Sequence, residues 1–290
     1  MNQANVKKWR DALLLSGETD LARSGARELA EYFGISEAEA QQLCESSLAD
    51  SQQEWEANRR RSSAEILDFY DQTRSYIFEH VWWHATDLES NTINVEIVDY
   101  ARRQGARAYL DFGSGVGSNA ILAARGGLEV TLADVSGTML DFARWRMARR
   151  GLKANYIYLR EQSLPRERFD LVTAMDVMEH LPRPAAEIKK MTAALKVGGL
   201  LVFNARPGFD AQRPMHLLPT MYPVYRGLRG SGLRAETGAA AARIRALDCF
   251  VYRRGGLAPV VNLGWKLYDS LRYSSLAEVG SKLVNSTRQN

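Results

Sequence analysis

The sequence predicts an α/β fold in which a doubly wound parallel sheet follows a helical segment. From residue 108 onward, short apolar runs alternate with stretches of helical periodicity; the runs read AYLDF, EVTLADV, NYIYL, FDLVTAM and GGLLVFNA. Strands that alternate with helices pair in parallel through crossover helices. Before residue 105 the chain is rich in Ala, Leu, Glu, Gln and Arg and has almost no strand pattern, so we expect helices there.

Length and composition agree with a folded protein of more than one part. The chain has 290 residues, of which 46% are hydrophobic and 25% charged, which excludes a disordered or fibrous protein. Its two cysteines, Cys44 and Cys249, are too few for a disulfide framework. No apolar run is long enough to span a membrane, and the first residues lack a signal peptide. We therefore expect a cytoplasmic protein without a membrane partner.

The predicted elements divide the chain into a helical bundle or lid over residues 1–104, a sheet domain over 105–254 and a helical tail over 255–290. Helices of the first part are expected at Glu18–Phe33, Ser36–Leu48, Ala64–Trp83 and Asn91–Arg103. Ser36 and Glu39 have the spacing of a capping box. After the fifth strand, Ala246–Tyr252 predicts a late strand and Trp265–Tyr273 an amphipathic helix.

A glycine-rich loop, LDFGSGVGS, follows the first predicted strand and opens the next helix. Its glycines let the backbone approach a ligand closely, and helix-terminal N–H groups face that ligand. Asp134 ends the next strand, 21 residues after Gly113, where a carboxylate can bind the ribose diol of a nucleotide. The glycines alternate, unlike the G-x-G-x-x-G of NAD-binding proteins, and Asp111 precedes them by two residues. This pattern favours S-adenosylmethionine.

With the segments FDLVTAMDVMEHL and LKVGGLLVF, this loop resembles the class I S-adenosylmethionine-dependent methyltransferases over residues 106–252. The resemblance implies a Rossmann-like sheet with an N-terminal helical cap, and S-adenosyl-L-methionine as cofactor. It also implies that the glycines pass beneath the methionyl and ribose groups, that Asp111 orients the amino group, and that Asp134 binds the ribose. The expected cofactor-binding residues are Asp111, Gly113, Ser114, Gly115, Gly117, Asp134, Val135, Glu161, Gln162 and Asp176.

The third strand departs from the family pattern. The family usually has an Asp at its end, near the adenine amine, whereas this chain has LREQS. Either Glu161 or Gln162 takes that place, and the sequence leaves the choice open.

Candidate bases follow the fourth and fifth strands, at the carboxyl edge where open α/β sheets bind ligands. They are Glu179, His180 and His216, since carboxylates and imidazoles of suitable pKa accept protons at neutral pH. The spacing of Asp176, Glu179 and His180 resembles the Glu-x-x-Glu-His of ubiquinone-synthesis methyltransferases, which is associated with a divalent metal. The same DVxEHxP pattern occurs in methyltransferases without a metal, and we expect none here.

An aromatic-rich stretch, YDQTRSYIFEHVWWHATD, precedes the first strand. Its rings either pack in the helical core or cover the cofactor, where an aromatic wall stabilises a sulfonium by about 0.5–2 kcal/mol. We favour a lid, with the candidate residues Tyr76, Trp82, Trp83 and His84.

The segment ELAEYFGISEAEA imitates the start of a helix-turn-helix motif, but its second helix carries Glu37, Glu39 and Glu45. These carboxylates repel phosphate, so nucleic acid is not an expected partner.

The expected function is methyl transfer to a small molecule in specialised metabolism, because helical caps enclose small acceptors. A second activity fits the same layout. In the azetidine-2-carboxylate synthases, the α-amino group of S-adenosylmethionine attacks its own γ-carbon, which releases methylthioadenosine and the cyclic amino acid. A third possibility is a non-catalytic regulator that binds the cofactor. The sequence does not indicate the oligomeric state.

Overall fold

A computed structural model of the protein describes residues 2–57, 62–211 and 213–256. The helices before the sheet are α1 Gln3–Leu13, α2 Leu21–Phe33, α3 Glu37–Ala57, α4 Ser63–Gln72, α5 Ser75–Thr86, α6 Leu88–Asn91 and α7 Ile93–Arg103. The later helices are α8 Ser118–Arg125, α9 Gly137–Arg149, α10 Pro184–Ala194, α11 Tyr222–Arg229 and α12 Ala239–Arg245. The strands are β1 Ala108–Phe112, β2 Glu129–Asp134, β3 Asn155–Tyr158, β4 Phe169–Ala174, β5 Leu195–Asn204, β6 Leu233–Ala235 and β7 Cys249–Arg254. The predicted helix Trp265–Tyr273 lies outside the described residues.

The strands form one sheet in the order β3-β2-β1-β4-β5-β7-β6. The first five strands pair in parallel, and β7 pairs antiparallel with both β5 and β6. The predicted α/β sheet is therefore confirmed, including the late strand at Cys249–Arg254. The short β6 was not predicted, because three residues with the sequence LRA carry no apolar run.

Helices cover both faces of the sheet. Every residue of β1 is buried, as expected of a central parallel strand with helices above and below. One apolar cluster joins α1, α7 and α8 to one side of the sheet, and a second joins α10 and α11 to the other. The carboxyl ends of β1, β2 and β4 consequently meet at one edge, which is where ligands bind in such sheets.

The helical segment differs from its prediction in four places, of which three concern α1, α3 and the capping box. Helix α1 was missed, although Trp9 is fully buried and its indole N–H donates to the carbonyl of His84 at 2.9 Å. Helix α3 continues to Ala57 rather than ending at Leu48, because the buried Trp55 anchors an otherwise polar last part. The capping box with both reciprocal bonds is Ser62 with Glu65, at the start of α4. At Ser36, the Glu39 N–H donates to the hydroxyl at 3.1 Å.

The predicted helix Ala64–Trp83 is two helices, α4 and α5, separated at Thr73 and Arg74. Thr73 has extended backbone angles, and its hydroxyl binds the Glu54 carboxylate and lies 3.2 Å from the Ser75 hydroxyl. A threonine that bonds its surroundings in this way competes with helix continuation. The break frees α4 to follow a direction of its own towards the edge of the sheet.

Among the helices of the described residues, none combines the length and the apolar character that crossing a membrane requires.

Candidate active site

The loop between β1 and α8 forms the floor of the site. Gly113, Gly115 and Gly117 have φ angles of 69°, 49° and 75°, values that side-chain-bearing residues rarely adopt. A Cβ on Gly115 would lie 2.8 Å from Nδ1 of His80, and one on Gly113 would lie 2.5 Å from Cγ2 of Val177. Both positions therefore need glycine for conformation and for space. Gly117 instead faces Ala143 and Leu132, so its role here is packing between α9 and the sheet.

Asp134 lies at the end of β2 and holds the glycine loop. Its carboxylate accepts the N–H of Gly115 at 2.8 Å and that of Ser136 at 2.9 Å. It is buried, and burial raises its pKa. A carboxylate has about four acceptor positions, so two remain for the hydroxyls of a ribose.

Asp111 lies beneath the same loop, near Asp134. Burial raises its pKa to about 7. One carboxylate oxygen accepts the hydroxyl of Thr173 at 3.2 Å, and the other is buried without a partner among the described residues. Because an unpaired buried polar atom costs free energy, this oxygen fits a ligand group that donates a hydrogen bond.

A cavity of about 740 Å³ extends from the glycine loop along the carboxyl edge of the sheet. The cofactor-binding residues predicted from the sequence that line it are Gly113, Gly115, Asp134, Val135, Gln162 and Asp176. At the third strand, Gln162 lies in the lining, whereas the exposed Glu161 does not. Ser114 and Asp111 lie behind the lining, and the Ser114 hydroxyl is buried without a described partner.

Asp176 occupies a strained backbone position directly after β4, with φ of 53°. Its N–H donates to the side-chain carbonyl of Asn204, and the Asn204 amide donates back to the Asp176 carboxylate at 2.9 Å. Arg206 lies 3.2 Å from the same carboxylate. This reciprocal pair fixes the turn that presents Asp176 and Val177 to the cavity.

The three candidate bases meet at the far end of the cavity. Ligand atoms of Glu179, His180 and His216 lie within 4.8 Å of one another, although only His180 is in the cavity lining. Burial, with Asp176 nearby, raises the pKa of Glu179 to about 7, and one of its oxygens has no described partner. Burial lowers the pKa of His180 to about 3 and that of His216 to about 4. The absence of a metal here stays a prediction, since carboxylate and imidazole are ligands that divalent metals accept.

The helical segment contributes part of the cavity wall, but only partly through the residues predicted as a lid. Tyr76 lines the cavity together with His80 and Tyr70. Trp82 and Trp83 lie outside the lining, and the Trp83 indole donates to Asp87 at 3.0 Å. His84 also lies outside it, with Nδ1 at 2.9 Å from the hydroxyl of Ser118. These last three residues therefore lie around the site without facing the cavity.

Helix α4 overlaps the predicted helix Ala64–Trp83 and contributes two residues, Tyr70 and Asp71, that were not among the predicted lid residues. Tyr70 lies with its hydroxyl 2.9 Å from Nδ1 of His180, and it donates to the carbonyl of Met215 at 3.2 Å. Asp71 accepts the N–H of Gly137 at 2.8 Å and the hydroxyl of Tyr158 at 2.7 Å. The signal in the sequence was the Ser62–Glu65 capping box, which places a helix start shortly before these residues.

A buried ionic cluster joins the helical segment to the glycine loop. Arg146 of α9 donates to Glu28 of α2 at 2.9 and 3.1 Å, and Arg150 binds the same carboxylate. Arg146 also donates to the carbonyl of Val116 at 2.8 Å and to the hydroxyl of Ser118 at 3.0 Å. The side chains of Arg146 and Glu28 are 3% and 1% exposed. One guanidinium thus holds both the lid and the loop.

The residues present fit S-adenosylmethionine. The unpartnered buried atoms include an oxygen of Asp111, the Ser114 hydroxyl, the Tyr76 hydroxyl and an oxygen of Glu179. The glycine positions leave a backbone cradle that a Cβ would fill. An aromatic and imidazole wall of Tyr70, Tyr76 and His80 faces this cradle, and such a wall suits a sulfonium.

Comparison with known proteins points to the same class. Residues 110–201 match a family model described as a methyltransferase domain. The ubiquinone biosynthesis O-methyltransferases of Stutzerimonas stutzeri and Coxiella burnetii are each 28% identical to this chain, over 133 and 130 residues. These alignments cover 43% and 42% of this chain but 57% and 56% of the relatives. The chain therefore spans about half the length of the curated relatives it matches.

Among solved structures, phosphoethanolamine N-methyltransferase 2 of Haemonchus contortus, in complex with S-adenosyl-L-methionine, aligns with a TM-score of 0.50 and 18% identity. The alignment covers 66% of this chain and 60% of that protein. At this identity the likeness shows a shared fold alone.

Together, the strand order, the glycine loop and the family match describe a Rossmann-like sheet that carries a methyltransferase domain. The matched part of the chain, residues 110–201, contains the glycine loop and Asp134.

Proposed function

We propose that the protein transfers a methyl group from S-adenosyl-L-methionine to a hydroxyl of a small molecule, in a biosynthetic role. One observation carries the proposal. A single cavity of about 740 Å³ joins the glycine loop and Asp134 to the end where His180 meets Glu179. This volume lies in the range of small-molecule sites. The end with Glu179 and His180 supplies a base that can take the proton of a hydroxyl nucleophile.

The residues divide into a binding half and a reacting half. Asp134, Asp111 and the glycine-loop backbone would hold the ribose and amino groups of the cofactor, which supplies an electrophilic methyl group. The lid residues Tyr70 and Tyr76 exclude water from the reacting end. Orientation and desolvation of this kind account for much of the rate of a methyl transfer.

Among the candidate bases, Glu179 suits the task best. A general base works best when its pKa lies near the operating pH, and the pKa of Glu179 is raised to about 7. The pKa values of His180 and His216, about 3 and about 4, keep both imidazoles neutral and make them weak bases. We therefore assign proton removal to Glu179, with the neutral His180 positioned between it and the cavity.

Product identification tests the proposal. Purified protein is incubated with S-adenosyl-L-methionine, first alone and then with a panel of small phenols and alcohols, and products are identified by mass spectrometry. Formation of S-adenosylhomocysteine only in the presence of an acceptor supports the proposal.

The alternatives give different products. If methylthioadenosine and azetidine-2-carboxylate form from the cofactor alone, the activity is intramolecular cyclisation and not methyl transfer. Tight cofactor binding without turnover across the panel would favour a regulator.

A further inference from the structure

A second groove lies beside the cavity. It has a volume of about 520 Å³ and runs between α10, α11 and the segment Leu217–Pro219. Leu181, Pro182 and Arg183 line both the groove and the cavity, so the two spaces adjoin at this segment. An acceptor that passes over the segment would reach from the cavity into the groove.

The walls of the groove are rigid and apolar. Four of the chain's eight prolines line it: Pro182, Pro184, Pro219 and Pro223. Proline fixes one backbone torsion, so little ordering entropy is lost when a ligand binds. Helices α10 and α11 pack closely at Gly227, where a Cβ would lie 2.9 Å from the Cα of Ala185. The groove is thus preformed.

All charged side chains that line the groove are positive. Arg183, Lys189 and Arg226 line the groove, and no Asp or Glu does. All three are exposed, and none forms an ion pair with another described residue. By comparison, Lys190 of α10 is paired with Glu187, and Arg149 of α9 is paired with Glu31. Three uncompensated cations around an apolar groove favour an anion carried on an apolar body.

We propose that this groove binds the anionic end of the acceptor, so that the substrate is a molecule with a carboxylate or phosphate joined by an apolar segment to the group that is methylated. This inference rests on the proposed function for the identity of the ligand, but the groove's preference for an anion is measurable without turnover.

The test uses hexyl phosphate as the probe, with hexanol and inorganic phosphate for comparison, titrated into the full-length protein saturated with S-adenosylhomocysteine. The groove variant is K189Q/R226Q, because Arg183 also lines the cofactor cavity. Its matched control is R102Q/R125Q, which removes two exposed cations at the opposite, amino edge of the sheet, where α7 and α8 end. Circular dichroism and cofactor affinity verify that both variants are folded.

We expect hexyl phosphate to bind more tightly than hexanol or inorganic phosphate. The groove variant should lose about fivefold in affinity, which corresponds to two exposed charges of modest individual effect, and the control should lose less than twofold. With an acceptor found in the product assay, the groove variant should raise KM for that acceptor and leave kcat and the KM for the cofactor unchanged.

Equal binding of hexyl phosphate to the wild type and the groove variant would overturn the proposal, as would equal binding of hexanol or of inorganic phosphate. A third outcome is that hexyl phosphate does not bind, while the wild type, unlike the groove variant, binds vesicles of anionic lipid. The groove would then face a membrane and would not bind the acceptor. If the product assay shows no methyl transfer while the phosphate probe binds as expected, the proposed function fails and the anion groove stands.

Discussion

At the scale of single residues, the role of Asp134 is the most direct to test. The Asp134→Ala variant should bind S-adenosyl-L-methionine about 10- to 100-fold more weakly, because a buried diol loses charge-assisted hydrogen bonds worth about 1–3 kcal/mol. Part of the loss comes from the glycine loop, since the Gly115 N–H loses its acceptor. Calorimetry measures the affinity. Asp141→Asn, which changes an exposed carboxylate on the following helix, serves as the control, and equal affinities of wild type and D134A would contradict the ribose assignment.

Glu179 predicts a pH dependence of activity. Because its pKa is raised to about 7, the fraction of free base grows as the pH rises towards 7. The rate of methyl transfer should therefore increase about tenfold per pH unit below that value and level off above it. Glu179→Gln should lower kcat by about 10²- to 10⁴-fold and abolish the rise of the rate with pH. If the rate of E179Q still rises with pH below 7, Glu179 is not the base. The matched control is Glu161→Gln, which changes an exposed carboxylate outside the cavity.

The same pKa has a consequence for stability, with a definite sign. The folded protein keeps the Glu179 proton between pH 4.5 and about 7, whereas the unfolded chain has already released it. The stabilising contribution is therefore complete below pH 4.5 and is lost as the pH rises through 7. Relative to E179Q, the free energy of unfolding of the wild type should fall by roughly 3 kcal/mol as the pH rises from 4.5 to above 7. Urea unfolding at several pH values measures this change.

At the scale of elements, the contact between α2 and α9 depends on one buried carboxylate. Glu28→Gln leaves the guanidinium groups of Arg146 and Arg150 without a counter-charge. Breaking a buried ion pair in this way costs about 3–5 kcal/mol, and urea unfolding should show a loss of that size. Glu31→Gln on the same helix removes a more exposed partner of Arg149 and should cost no more than about 1 kcal/mol. Similar losses of unfolding free energy in the two variants would mean that the buried cluster stabilises the fold no more than an exposed ion pair does.

The contact between α4 and the sheet domain depends on Asp71. Its carboxylate binds the Gly137 N–H at the start of α9 and the Tyr158 hydroxyl at the end of β3. In Asp71→Asn the lid should open more often, so that the cofactor dissociates faster by about tenfold and amide hydrogens of α4 exchange faster. Stopped-flow fluorescence and hydrogen exchange measure the two effects. Asp68→Asn, which changes an exposed partner of Arg160, should leave both nearly unchanged, and a D71N protein with unaltered α4 exchange would show that the lid is held elsewhere.

At the scale of the whole molecule, the lid and the sheet domain should unfold together. Their interface contains the Glu28 cluster and the hydrogen bond between His84 and Ser118, so neither part keeps its buried polar groups paired without the other. Fluorescence of the lid tryptophans Trp9, Trp55, Trp82 and Trp83 should therefore give the same urea midpoint as circular dichroism of the sheet. The W145F/W265F variant leaves these four as the only tryptophans of the chain. Separate midpoints in that variant would establish two independent units.

Much of this fold was readable from the sequence because local patterns determine it. The alternation of apolar runs with helices gave the sheet, and the loop LDFGSGVGS marked the cofactor end of β1. Packing determined what was missed. Helix α1 is held by the burial of Trp9, and the division of α4 from α5 follows from side-chain bonds at Thr73 with partners on other elements.

The site was readable to a similar extent. Residues at or just beyond the ends of strands, such as Asp134 and Asp176, line the cavity where the pattern indicated. Trp82, Trp83 and His84 do not, because the sequence gives the presence of aromatic rings but not the direction in which a helix turns them. Tyr70 and Asp71 were missed for the same reason, since nothing local links them to His180 or Gly137.

The buried bond between Glu28 and Arg146 spans 118 residues of sequence. A chain made from its amino end presents the carboxylate long before the guanidinium exists, and contacts of such separation form late in folding. Helix α2 must therefore wait, with its acidic side chain in water, until β2 and α9 have been synthesised. The order of synthesis therefore places docking of the lid after the formation of α2 itself, and the cofactor loop receives its tie to the lid only once α9 is present.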